Sequence, residues 1–206
     1  MKKLLALLVL FTTSLGINAQ DGWIPLFNGK DLDGWKISEN PNSFAVEDGL
    51  IKVDGPRAHA FYVGEVNGAV FEDFELMVEL KTMPKANSGI FFHTAYQETG
   101  WPDKGYEVQV NQTHSDWRKS GSLYSFNDVR ETYVEDGEWY ITHIIVKGDH
   151  VTVKLNGQTV MEYIESKDEK RPENAGAKKI DKGTFAIQAH DPESVIYYRS
   201  IKVKVP

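Results

Sequence analysis

Residues 74–81 read "FELMVELK", and no other stretch restricts the fold as tightly. Phe74, Leu76, Val78 and Leu80 alternate with Glu75, Met77, Glu79 and Lys81, the period of two that marks a half-buried strand with one apolar face and one wet face. A helix would scatter both sets around its surface. Further runs with strand character follow in "SGIFFH", "YEVQV", "GSLYSF", "EWYITHIIVKG", "HVTVKLNG", "QTVMEYI", "GTFAIQAH" and "VIYYRSIKVKV". Turn chemistry separates them. Asp48-Gly49 in "FAVEDGLIKV" and Asn156-Gly157 are hairpin dipeptides, and "KGDH" at 147–150 joins two more runs into a meander. Roughly ten or more strands at short spacing, with no amphipathic helix, repeat or linker, predict one all-β domain over residues 20–206: an antiparallel two-sheet β-sandwich or jelly roll.

The first residues set the expected compartment. Lys2 and Lys3 precede the apolar run "LLALLVLFTTSLG", and "INAQ" follows, so residues 1–19 read as a signal peptide cut after Ala19. The run is short for a bilayer span and carries two threonines and a serine. The expectation is export to the periplasm or beyond, with no membrane span in the mature protein. The chain has no cysteine, which excludes a disulfide framework and a lipid-modified cysteine. Losing two lysines with the leader takes the formal charge from −7 to −9, which argues against nucleic acid or an anionic membrane as partner. Neutral partners such as sugars remain.

No zinc motif, P-loop, dinucleotide fingerprint or nucleophile elbow occurs, so chemistry must come from carboxylates, imidazoles and amides on strands. In "GYEVQVN", Tyr106, Val108 and Val110 take the core side, and Glu107 and Gln109 share the other. In "FAIQAH", Phe185, Ile187 and Ala189 face the core, and Gln188 and His190 share the other side. If these polar pairs meet in one sheet, an acid, an imidazole and two amides line a shallow site suited to proton transfer and hydroxyl recognition. The plainer reading is a solvated sheet face for Glu107 and Gln109, and a structural role for His190.

Other residues divide the same way. Two irregular stretches, "TAYQETGWPDKG" and "QTHSDWRKSG", flank the "GYEVQVN" strand and carry Trp101 and Trp117, rings on which a pyranose can stack. His93 ends "NSGIFFH", where Asn87, Ser88 and Gly89 also suit a turn. His143 reads as a hydrogen-bonded core histidine, and Trp23, Trp35 and Trp139 as core packing. The stretch "SKDEKRPENAGAKKIDKG" reads as a solvated loop.

Taken in order, "IPLFNGKDLDGW", "FEDFELMVELK", "NSGIFF", "GYEVQV", "GSLY", "GEWY", "LNG", "IQAH" and "YYRSIKV" resemble the 3-keto-disaccharide hydrolase domain family, over residues 22–204. The chain departs from the family pattern at His93, where Arg is common, and at Tyr140, where Asn is. The resemblance implies a concanavalin A-like, laminin G-like jelly roll acting on glycosides already oxidised at carbon 3. A ketone there acidifies the carbon 2 proton, so a base can remove it, the aglycone leaves carbon 1 by β-elimination, and water adds to the resulting glucal. By this resemblance Glu107 is the expected base, and Gln109 or a divalent cation stabilises the enediolate. His190 is the acid toward the leaving oxygen or a metal ligand. Asn87, His93, Tyr124 and Gln188 orient hydroxyls, and Trp101 and Trp117 stack on the sugar. Two alternatives stand beside it: a noncatalytic carbohydrate-binding module of the same fold, and an ordinary two-carboxylate glycosidase.

Overall fold

The computed structural model describes residues 20–166, 172, 175 and 178–206. The expected leader and much of the charged loop after Glu165 lie outside the described residues. Among the described residues the chain forms thirteen strands: β1 Ile24–Pro25, β2 Trp35–Ile37, β3 Phe44–Glu47, β4 Leu50–Asp54, β5 Ala58–Tyr62, β6 Phe74–Thr82, β7 Ser88–Thr94, β8 Tyr106–Val110, β9 Tyr140–Lys147, β10 His150–Leu155, β11 Gln158–Ile164, β12 Thr184–Ala189 and β13 Val195–Lys204. Only short 3-10 turns accompany them, and no described helix is long and apolar enough to cross a membrane.

Two antiparallel sheets result. The eight-stranded sheet runs β11-β10-β9-β6-β13-β4-β3, with β1 also paired to β13, and the five-stranded sheet runs β2-β5-β12-β7-β8. The alternation in β6 does what its period requires: Phe74, Leu76, Val78 and Leu80 are buried against the other sheet, and the intervening residues are half-buried. Ile144 and Val146 of β9 and Ile201 and Val203 of β13 join them. From the five-stranded sheet come Ile90, Phe92, Tyr106, Val108, Val110, Phe185 and Ile187. Phe185 stacks on Phe71 with centroids 4.4 Å apart and takes the edge of Phe74 at 4.8 Å, so aromatic contact ties the layers together. The hairpins form where Asp48-Gly49 and Asn156-Gly157 predict them, each pair with positive φ at both positions as a type I′ turn requires.

Several sequence expectations fail locally. "GSLYSF" is not a strand: Leu123 makes isolated bridges to Val108 and Asn127, and a tight turn with Ser125 at φ 66° stops extension. Ser88 and Gly89 belong to β7 rather than to a turn. His143 sits on the outer face of the eight-stranded sheet, not in the core, with Nε2 2.9 Å from Glu75 and its ring against Trp23. Trp35 alone of the three tryptophans expected in the core is buried there. Trp23 and Trp139 are half-buried under the lysine and arginine side chains of Lys202, Lys81 and Arg199.

Candidate active site

The face of the five-stranded sheet turned away from the core carries the polar pairs. Register fixes their neighbours: Phe91 lies opposite Glu107, Gly89 opposite Gln109, and Gln188 opposite His59. The loops after β7 and β8 and a stretch before β12 wall this face into a cleft of about 300 Å³. Glu107, Gln109, Asn87, Gln188, His190, Trp101 and Tyr124 all line it, joined by Phe91, Asp103 and Lys178. Glu107 on β8 and His190 just after β12, 83 positions apart by number, therefore share one cleft.

Gly89 makes room for the acid. A methyl group there would run into the Glu107 carboxylate and lie 2.8 Å from its Cγ, so the bare backbone is the bed on which this side chain rests. Burial pushes the Glu107 carboxyl up to about 7, with Asp116 adding to the rise and Lys178, Arg118 and the Gln188 hydrogen bond opposing it. A carboxylate so placed is a stronger base than one in water.

Amides are oriented around it. Gln188 Nε2 donates to Glu107 Oε1 at 3.4 Å, and Gln109 Nε2 donates to Asn87 Oδ1 at 2.9 Å. The Asn87 amide nitrogen in turn lies 3.3 Å from His190 Nε2 and 3.4 Å from His114 Nδ1. Both glutamines are thus left with a buried carbonyl oxygen that no protein group satisfies. Such acceptors are costly when empty, and sugar hydroxyls are donors that satisfy them. Gln109 gives one amide hydrogen to Asn87 and keeps a second N–H beside its unmet carbonyl oxygen.

His190 is held from behind. Its Nδ1 is 2.7 Å from Asp191 Oδ2, which also accepts from Ser194 Oγ at 2.9 Å. Burial raises the Asp191 carboxyl, but the hydrogen bonds from His190, Ser194 and the Glu193 amide outweigh it and hold the group ionised. Asp191 therefore keeps the Nδ1 proton in place and leaves Nε2 toward Asn87, the arrangement of a histidine poised to exchange a proton. Trp101 lies over this ring with centroids 5.3 Å apart.

Two expected contacts fall elsewhere. His93 has φ 54°, which breaks the strand alternation and turns its ring edge-on to Phe74 and Phe92. Nε2 donates to the Glu72 carbonyl at 2.8 Å and Nδ1 accepts from the Asp181 amide at 3.2 Å. Trp117 is 42% exposed and does not line the cleft; its ring carries the Arg118 and Arg130 guanidiniums at 4.6 and 4.1 Å. Conversely, Lys178 and the buried Ala175 bring the charged loop to the cleft wall, where the sequence reads only a solvated segment. Asp103 supplies a second, exposed carboxyl at the rim. Among the described residues no three His, Asp or Glu side chains converge as ligands. Glu107 and the rim carboxyl of Asp103 do not converge with a third such ligand, so no step is derived through a divalent cation.

A family model described as the 3-keto-alpha-glucoside-1,2-lyase-like domain matches residues 22–204. The chain belongs to this family. A curated relative from Bacteroides thetaiotaomicron, named 3-keto-disaccharide hydrolase, is 30% identical over 172 residues, which is 69% of this chain and 59% of the relative. The chain thus spans about three fifths of that relative's length. Among solved structures, a Parabacteroides distasonis protein described as a candidate glycosyl hydrolase superposes with a TM-score of 0.75 at 24% identity, covering 94% of this chain and 97% of that one. A Bacillus subtilis protein of unknown function with a galectin-like fold superposes at 0.61 with 13% identity, covering 88% and 94%. At these identities both likenesses show the fold: this lyase-like domain is a two-sheet jelly roll of the galectin kind.

Proposed function

We propose that this 3-keto-glucoside lyase-like domain cleaves 3-keto-glycosides by elimination at carbons 1 and 2. The observation that carries the reading is the Glu107 carboxyl, raised to about 7 and bedded on Gly89, facing a cleft whose unsatisfied amide oxygens call for hydroxyl donors. The name of the Bacteroides relative and the family description agree with it.

Glu107 takes the proton from carbon 2, and the C–H electron pair moves toward the carbon 3 oxygen. The second N–H of the Gln109 amide and the Lys178 ammonium, both in the cleft lining, are the donors assigned to that oxygen. Collapse of the enediolate forms the carbon 1 to carbon 2 double bond and expels the aglycone oxygen, which His190 protonates, with Asp191 stabilising the imidazolium beforehand. Water then adds across the double bond, for net hydrolysis. Gln109 and Gln188 accept hydroxyl hydrogens, and Tyr124 and Trp101 bound the ring. The charged start and short apolar run of residues 1–19 support a location outside the cytoplasm, and an N-terminus beginning at Gln20 on the secreted protein would establish it.

A 3-keto-glucoside with a chromogenic aglycone, assayed beside the unoxidised glucoside, tests the reading. Release from the keto sugar alone, with exchange of the carbon 2 hydrogen into deuterated water, is the expected result. Release from the unoxidised glucoside would favour a two-carboxylate route through Asp103. Saturable binding without release from either would make the domain a binding module.

A further inference from the structure

The cleft accounts for Glu107, Gln109, Gln188 and His190, but not for His59. This residue is 0% exposed, and neither of its ring nitrogens has a partner. A buried imidazole with both nitrogens unmet is rare and calls for a cause. Its surroundings are aromatic: Phe91 and Trp101 present edges at 5.3 and 5.7 Å, and Phe61 lies at 6.0 Å. Register places it directly opposite Gln188, whose carbonyl oxygen is also buried and unmet. Side chains directly opposite in an antiparallel pair have Cβ atoms about 5 Å apart, so one oxygen atom can bridge them.

We propose that His59 and the Gln188 carbonyl form a second hydroxyl-binding position beneath Trp101, which takes the sugar ring beyond the one that reacts. It rests on the reading of the cleft given above. An amide oxygen accepts, and a neutral imidazole donates at one nitrogen and accepts at the other, so the pair fits a group that does both, as a hydroxyl does. The remaining walls are Phe61, Phe91 and Trp101, flat apolar surfaces suited to the C–H face of a pyranose. A lone water could meet the same two groups but would find only aromatic rings on its other sides.

Access runs through Trp101. The ring is 45% exposed, lines the cleft and stands between the imidazoles of His59 and His190. Its loop is fastened at Glu39, which accepts from the Gly100 amide at 3.2 Å, donates its own amide to the Glu98 carbonyl at 3.1 Å and pairs with Arg57. In this proposal the indole swings aside to admit the sugar to His59 and then covers it.

Calorimetric titration of the Glu107→Gln protein with methyl 3-keto-α-glucoside and with 3-keto-trehalose tests the proposal. Adding His59→Phe, which keeps the ring and removes both nitrogens, is expected to weaken the disaccharide about tenfold and leave the methyl glycoside unchanged. Equal affinities with and without His59→Phe, or equal losses for both sugars, overturn the subsite and leave the reacting position intact. Failure of the Glu107→Gln protein to bind either sugar removes the reading of the whole cleft. Should His59→Phe not fold, a crystal structure of the Glu107→Gln protein with 3-keto-trehalose decides. A sugar hydroxyl within hydrogen-bonding reach of both His59 and Gln188 establishes the position, and a water alone there overturns it.

Discussion

The two sheets bury their residues differently. Along β6 buried and half-buried positions alternate strictly, whereas every residue of β5, β7 and β12 is buried. The eight-stranded sheet has one face on the core and one toward water. The five-stranded sheet is covered on both faces, by the core below and by loops above. What it buries on the loop side is Phe61 and Phe91, with Tyr96 half-buried against them, beside Gln109, Gln188, His59 and the half-buried Glu107. A face that buries amides, an acid and an imidazole has given up stability, and the compensation is a site.

The contrast can be broken by substitution. Glu107→Gln should lower turnover of a 3-keto-glucoside by about a thousandfold with binding retained, measured by steady-state kinetics beside calorimetry. On the other side of the core, Leu76→Ala should cost about 3 kcal/mol in urea unfolding and leave kcat per folded molecule unchanged. Gly89→Ala joins the two regions: a methyl group on β7 pushes the Glu107 carboxylate aside, so kcat should fall about 10- to 100-fold with little change in KM or unfolding midpoint. A fall in stability with kcat intact would make Gly89 a packing residue only.

Acid and alkali sharpen the same comparison. The folded Glu107 pKa of about 7 lies above its ordinary 4.5, so its contribution to stability is full below pH 4.5 and is lost as pH rises through 7. Glu107→Gln should therefore be more stable than the parent by about 2 kcal/mol at pH 8, with the difference closing by about pH 4.5, and activity of the parent should rise through pH 7. The smallest effect belongs to the outer face. Arg199→Ala removes the exposed pair with Glu79 and should barely move the urea unfolding midpoint, with any difference shrinking further in salt.

Legibility in the sequence follows the same division. Strands of the eight-stranded sheet announce themselves because water on one face enforces alternation. Glu107, Gln109 and Gln188 are legible for the same reason, since they alternate with core residues. That they meet depends on β12 and β8 flanking β7, a pairing set by long connections and invisible in local pattern. His59 sits in "AHAFY", where both faces are buried and no period survives. Lys178 comes from a loop whose charge composition predicts only solvation. His93 misleads because a single left-handed residue turns its ring away from the face that strand geometry assigns, and Trp117 because an exposed loop tryptophan can serve arginines as well as sugars.

The position of β13 has a kinetic meaning. It pairs with β6, β4 and β1, all of which precede it in the chain, and among the described residues it alone links β3–β4 to the β6–β9–β10–β11 block within the sheet. Until residues 195–204 are available, the larger sheet exists as two unjoined fragments, each with an open edge and an uncovered apolar face. Closure is then a single late event of high sequence separation, slow on the scale of hairpin formation.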